Sequence, residues 1–146
     1  MEIIKNQTQE PLAILVDRVR RSLLLRLQNN FSKAGYDITS EQWMLLHLLW
    51  QEEGRSQQQL ADKLVKNKAS IVSMLDRLEK KNMLVRIPDK LDGRQKLIYL
   101  TLQGKSMETE LEALIDENLE RLQTKISRED LKKTRAVLLQ MINNLE

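Results

Sequence analysis

The stretch Ser56–Thr101, SQQQLADKLVKNKASIVSMLDRLEKKNMLVRIPDKLDGRQKLIYLT, decides the fold. Ser56 precedes a short apolar-periodic run and has Gln59 three residues on, the pattern of a helix N-cap with its capping-box partner. Leu60, Ala61 and Leu64 give Gln57 to Val65 one inward face. Lys66, Asn67 and Lys68 form a polar turn, and Asn67 is a good cap for a second helix from Lys68 to about Lys81. The period then changes. Leu84, Val85, Arg86 and Ile87 lead to Pro88, and a charged tip follows at Asp89-Lys90-Leu91-Asp92-Gly93-Arg94. Gln95 to Leu100 alternates, with Lys96, Ile98 and Leu100 on one face and Leu97 and Tyr99 on the other. Asp-Gly between two apolar runs is a strong hairpin signal. Pro88 stands where a lost ladder donor is tolerated. Short helix, tight turn, second helix and basic hairpin form the order of a winged helix-turn-helix, which points to duplex DNA.

The second helix carries that inference further. At about 100° per residue, Ile71, Met74, Leu75 and Leu78 fall in one arc, opposite Ala69, Ser70, Ser73 and Arg77. A solvent-facing arc ordinarily carries long Glu and Lys. Small residues instead let a helix enter the major groove closely, and hydroxyls can bond base edges or phosphates. Lys66, Lys68 and Lys80 flank the arc, and the helix N-terminus adds partial positive charge. Helical periodicity alone would equally suit one more helix of an α-bundle; the sequential combination with a basic hairpin favours DNA. The expected DNA contacts are Ser56, Gln57, Lys66, Lys68, Ala69, Ser70, Ser73 and Arg77 from the helices, with Lys90 and Arg94 from the hairpin.

Outward from this stretch the chain reads as long amphipathic helix. Residues 1–9 are polar and expected to fray. From about Glu10 to Phe31, Leu12, Leu15, Val16, Val19, Leu23, Leu27 and Phe31 recur at helical steps, and Ile14, Leu24 and Leu25 widen the stripe. A broad apolar helix near a terminus is usually covered by something else, and a second subunit is the natural candidate. Gly35 ends this segment. Thr39 with Gln42 caps a nearly all-apolar helix from Ser40 to about Glu52. Thr101 caps a long helix to about Lys125, and Ser127 with Asp130 forms another capping box that opens a last helix to about Leu145. The fold class is therefore mainly α with a small β-hairpin wing, in a single domain over 1–146. A winged helix-turn-helix lobe over 36–101 is flanked by dimerisation helices at 10–34 and 102–146.

Composition sets the bounds. Of 146 residues 41% are hydrophobic but only 3% aromatic, so the core is built of Leu, Ile, Val and Met. The absence of Cys excludes disulfides, Cys-ligated zinc and thiol redox sensing, and fits a cytoplasmic location. The start, MEIIKNQTQEPL, has no basic segment followed by an apolar run, and no apolar stretch is long enough for a membrane span. Net charge is +3, and its distribution matters more than its size. Residues 55–100 carry 11 Lys and Arg against 5 Asp and Glu, while the remainder is mildly acidic. Positive charge concentrated on one segment suits phosphate binding.

The stretch LADKLVKNKASIVSMLDRLEKKNML, followed by RIPDKLDGRQKLIYLTLQGK, resembles the MarR (multiple antibiotic resistance regulator) family of bacterial transcription factors. That family's pattern is a helix-turn-helix ending in Asp-Arg-Leu-Glu-x-x-Gly-Leu-Val, a wing with Asp and Arg at its tip, then Leu-Thr-x-x-Gly. Asp76, Arg77, Leu78 and Glu79 match, as do Asp92 and Arg94, and Leu100, Thr101 and Gly104. Asn82 stands where the family usually has Gly, and Asn is the next-best residue for a left-handed helix end. The resemblance implies a triangular homodimer whose terminal helices interlock. It implies a recognition helix in the major groove and Arg94 in the adjacent minor groove. It implies Asp92 and Arg77 as residues bracing the wing against the recognition helix. Two-fold symmetry implies a pseudo-palindromic operator with half-sites about one helical turn apart.

The resemblance also implies release from DNA by small aromatic or phenolic anions. Trp43, His47 and Trp50 at i, i+4 and i+7, with Tyr36 upstream, are the candidate effector pocket, with packing against neighbouring helices as the plainer role. One His and no Cys argue against a metal site, and no cofactor is expected. No phosphate loop, nucleophile–base pair or metal-spaced carboxylate pair suggests an enzyme. The alternative is a winged helix that binds protein and not DNA.

Overall fold

The computed structural model describes residues 9–146; the expected fraying of the chain start concerns residues that, apart from Gln9, lie outside them. The chain runs α1 (Leu12–Lys33), α2 (Ser40–Gln51), β1 (Arg55–Ser56), α3 (Gln57–Leu64), α4 (Lys68–Lys80), β2 (Leu84–Pro88), β3 (Lys96–Leu100), α5 (Leu102–Ser106), α6 (Glu108–Leu122) and α7 (Arg128–Leu145). The mainly helical fold with a small sheet is the one expected.

Local chemistry sets most of these boundaries. Thr39 and Ser56 each accept from the backbone N–H three residues on, at 3.1 Å, while Gln42 and Gln59 reach back to the cap N–H. Both capping boxes are therefore complete, a stabilisation of about 1 kcal/mol apiece. Asn67 caps α4 through Ser70 N at 2.8 Å. At the far end Asn82 takes φ 57°, with Met83 N bonded to Leu78 O and Asn82 N to Glu79 O. That paired closure turns the chain directly into β2.

The core lies between α2, α3, α4 and the sheet. Leu45, Leu46, Leu49, Leu60, Ile71, Leu75, Leu78, Leu84 and Ile98 are fully buried, and Phe31 and Leu111 extend the core toward α1 and α6. Each such side chain contributes about 1.5–3 kcal/mol of transfer free energy. Thr101 fastens α5 under the hairpin, its Oγ1 donating to Asn82 O and its N–H to Met83 O. Gly104 lies so close that an added Cβ would stand 2.0 Å from Met83 O, so only glycine fits.

Three features depart from the sequence expectation. The sheet has three strands in the order β1-β3-β2, because Arg55 and Ser56 pair antiparallel with Ile98 and Leu97. A two-residue strand carries no alternation to detect. The helix expected from Thr101 to Lys125 is two, α5 and α6, broken at Met107. The cap before α7 is half a box: Ser127 accepts from Asp130 N, with no return bond.

Candidate nucleic-acid interface

Helix α4 has two faces of opposite character. Ile71, Met74, Leu75 and Leu78 are buried, whereas Lys68, Ala69, Ser70, Ser73, Arg77 and Lys80 are exposed. The buried face fixes the helix axis, and the exposed face presents two hydroxyls, a methyl and three cations. None of those three cations forms an ion pair among the described residues. Lys66, in the turn, is half-buried and pairs with Glu41 at 3.2 Å. Ser56 is not available as a DNA contact. It is only 2% exposed, and its Oγ accepts from Gln59 N to start α3. Gln57 is half-buried beside it.

The wing is β2, β3 and the turn between them, with Leu84 opposite Leu100 and Ile87 opposite Leu97. Its tip is held by its own polar groups. Asp89 Oδ1 accepts from Leu91 N at 3.0 Å and Asp92 Oδ1 from Arg94 N at 3.1 Å, while Asp89 N donates to Gln95 O. Both acids therefore serve the turn, and the Lys90 and Arg94 side chains are exposed, without an ion pair among the described residues. These turn bonds order the backbone that carries the two cations.

Arg86 ties this wing to α4. Its guanidinium donates to Asp76 Oδ1 at 2.5 Å and to Glu79 Oε2 at 2.5 and 3.0 Å. Burial of Arg86 opposes its charge, but the hydrogen bonds it donates to Glu79 and Asp76, and then their charges, outweigh burial and hold its pKa above the ordinary value. Sequence reasoning missed this residue. The signal was parity: Arg86 shares the strand face of buried Leu84, so a core-facing cation required carboxylates nearby, and Asp76 and Glu79 stand one helical turn apart.

A family model described as the MarR family matches residues 38–96. The HTH-type transcriptional regulator TtmR of Methylorubrum extorquens (strain PA1) is 31% identical over 81 residues, which cover 56% of this chain and 42% of TtmR. The chain thus spans less than half the length of that relative. The HTH-type transcriptional regulator FarR of Neisseria gonorrhoeae is 26% identical over 114 residues, 78% of this chain and 77% of FarR. The structure of S. aureus MepR in complex with DNA matches with a TM-score of 0.84 at 25% identity, covering 93% of this chain and 99% of MepR. Over its winged helix-turn-helix segment the chain is similar to the MarR family.

Two expectations drawn from the MarR resemblance are placed differently in this chain. The brace between wing and recognition helix is not Arg77 with Asp92. Asp92 is committed to the turn through Arg94 N, Arg77 is exposed and forms no ion pair among the described residues, and the bridging cation is Arg86. The four residues of the candidate effector pocket do not converge on one cavity. Trp43 and His47 touch, with ring centroids 5.8 Å apart, and Trp43 also packs on Phe31. Trp50 is held elsewhere, its Nε1 donating to Gly104 O at 3.0 Å. Tyr36 lines a separate groove with Asp37, Lys81, Met83 and Gln103. Trp43, His47 and Trp50 lie along one helix, but their partners come from different elements.

Proposed function

We propose that this chain is a MarR-type regulator: homodimeric, sequence-specific and DNA-binding, a repressor acting at a pseudo-palindromic operator. The observation that carries the reading is the outer face of α4. A helix otherwise locked into the core leaves Lys68, Ala69, Ser70, Ser73 and Arg77 exposed, beside a wing whose Lys90 and Arg94 are also free. Small residues at the helix start suit close entry into the major groove, and the cations suit phosphates on either side. The lobe over residues 36–101 would carry these contacts, with residues 10–34 and 102–146 joining two copies.

Dimerisation is supported by the terminal helices. Helix α7 has no fully buried residue although Leu131, Val137, Leu138, Met141 and Ile142 follow helical spacing. Leu12, Ile14, Val16 and Val19 of α1 are similarly exposed, and an apolar cleft of about 750 Å³ separates the two helices. Apolar surface of that extent calls for a partner. Release by a small aromatic or phenolic acid fits a cleft of about 420 Å³ between α1 and α6, where Arg26 and Arg121 border Leu15, Val19, Leu23 and Leu122.

In vitro selection of duplexes by the purified full chain tests the reading. The expected outcome is an inverted repeat with half-sites roughly 34–36 Å apart, bound with an affinity that falls steeply with salt. Failure to enrich any duplex, with no salt-dependent polyanion binding, would replace this function by a protein-binding winged helix.

A further inference from the structure

Leu91 sits at the extremity of the wing and is 97% exposed, the most exposed of the chain's large apolar side chains among the described residues. Single exposed leucines are common on protein surfaces and by themselves mean little. This one is set apart by its surroundings. It occupies a turn, where Gly, Asn, Asp or Ser would serve the backbone better. Its own N–H is fixed by Asp89 Oδ1 at 3.0 Å, so the position is ordered. The bond between Asp92 and Arg94 N fixes the other side of the tip, and Gln95 N donates to Asp92 O at 3.0 Å. The acids are thus drawn into the turn. What projects outward is a cation, a leucine and a second cation: Lys90, Leu91 and Arg94. The apolar character continues down the outer face of the wing, where Ile87 is exposed opposite half-buried Leu97.

We infer that Leu91 is a minor-groove wedge. Resting on the reading of the wing as a DNA-binding element, Lys90 and Arg94 bring the tip to the phosphates and groove floor. Leu91 then enters between the deoxyribose walls and leans on the edge of a base step. Aliphatic side chains in this position partly unstack the step and bend the duplex toward the major groove. Such a step is cheapest to open at a pyrimidine–purine sequence, so Leu91 would add a sequence preference at a position that makes no hydrogen bond. The cost of exposing leucine in the free protein is recovered on binding, when its side chain leaves water. Duplex DNA suits this occupant better than a protein groove because both neighbours of Leu91 that project are cations and the nearby acids are already engaged.

The test uses the full chain and an inverted-repeat duplex recovered by selection, with 2-aminopurine at the base steps that footprinting assigns to the wing. The wild-type chain is expected to raise 2-aminopurine fluorescence, and selected duplexes to be enriched in TA or CA steps there. Leu91→Ala is expected to weaken binding by roughly tenfold or more and to abolish the fluorescence rise, whereas Leu91→Met retains both. Its melting temperature should match that of the parent, since Leu91 packs on nothing in the fold. Unchanged affinity and fluorescence in Leu91→Ala, with weakened binding in Arg94→Ala, would overturn the wedge while leaving the wing on DNA. Unchanged binding in both variants, or no selected duplex at all, would overturn the wing reading and the wedge together.

Discussion

Val65 carries a conformational load at the scale of one residue. It closes α3 with φ 52° and ψ 49°, left-handed backbone that a β-branched residue rarely adopts. The helix end around it is otherwise ordinary: Lys66 N bonds Ala61 O and Val65 N bonds Asp62 O, the closure that Asn82 provides for α4 and Gly35 for α1. At those two ends the residue type suits the geometry, and at Val65 it does not. The side chain is 92% exposed, so packing returns nothing. Left-handed backbone costs an L-residue about 1–2 kcal/mol, and glycine adds back part of this through its unfolded-state entropy. Val65→Gly is therefore expected to stabilise the chain by about 1 kcal/mol, read as a higher urea midpoint and a melting temperature raised by roughly 2–4 °C. A lower midpoint would mean that the valine is supported in a way its exposure hides.

Arg86 belongs to the scale of elements, because what it joins is a strand and a helix. The wing touches the lobe core through Leu84, Ile98 and Leu100, and Arg86 adds a directional link to Asp76 and Glu79. The carboxylates are 48% and 39% exposed, so solvent screens the pairs and their worth is well below that of a buried bridge. Arg86→Met is expected to cost about 1–2 kcal/mol of stability, measured by chemical denaturation. On the proposed function its larger effect should be on DNA binding. A wing no longer fixed to α4 would hold its tip cations less firmly on the phosphates, and the slope of log affinity against log salt should fall by about one unit. Arg86→Lys should not restore it, since an ammonium cannot span both carboxylates as a guanidinium does. An unchanged salt slope in Arg86→Met would show that the wing is positioned by its apolar contacts alone.

The same scale shows what the sequence discloses. The capping boxes at Thr39–Gln42 and Ser56–Gln59 are legible because cap and partner are three residues apart. The arcs of α4 follow from helical period, and the wing follows from Asp-Gly between alternating runs. Strand β1 is not legible, because Arg55 and Ser56 become a strand only by pairing with β3. The break at Met107 is tertiary in the same sense: α5 is placed by the contact of Gly104 with the Met83 backbone. Ser56 misled as a candidate contact because its side chain, while capping α3, is buried where a phosphate cannot reach it. The aromatic side chains proposed from spacing have separate partners for a tertiary reason. Spacing aligns Trp43, His47 and Trp50 on α2, but Phe31 and Gly104, from distant elements, claim the two indoles separately.

For the molecule as a whole, the proposed function requires something to hold two lobes at an operator's spacing. An 18-residue helix with no fully buried residue is poorly stable in isolation, and α7 is such a helix. Its apolar side faces the open cleft against α1, lined by Val16, Val19, Val137, Leu138 and Met141. A second copy inserting its own terminal helices would bury both faces and fix the two recognition helices together. Val19→Glu with Leu138→Glu places two charges in that cleft, where desolvation would oppose association. The expected result is a monomer by sedimentation equilibrium, reduced helicity from α7, and an unaltered lobe. Each lobe would then bind a half-site alone. Joining two binding modules ordinarily raises affinity by about 10²–10⁴, so the variant should lose about that factor on the inverted repeat and little on a single half-site. If the doubly substituted chain sediments as the parent does, the cleft between α1 and α7 is not the dimer contact, and another surface must set the spacing of the two lobes.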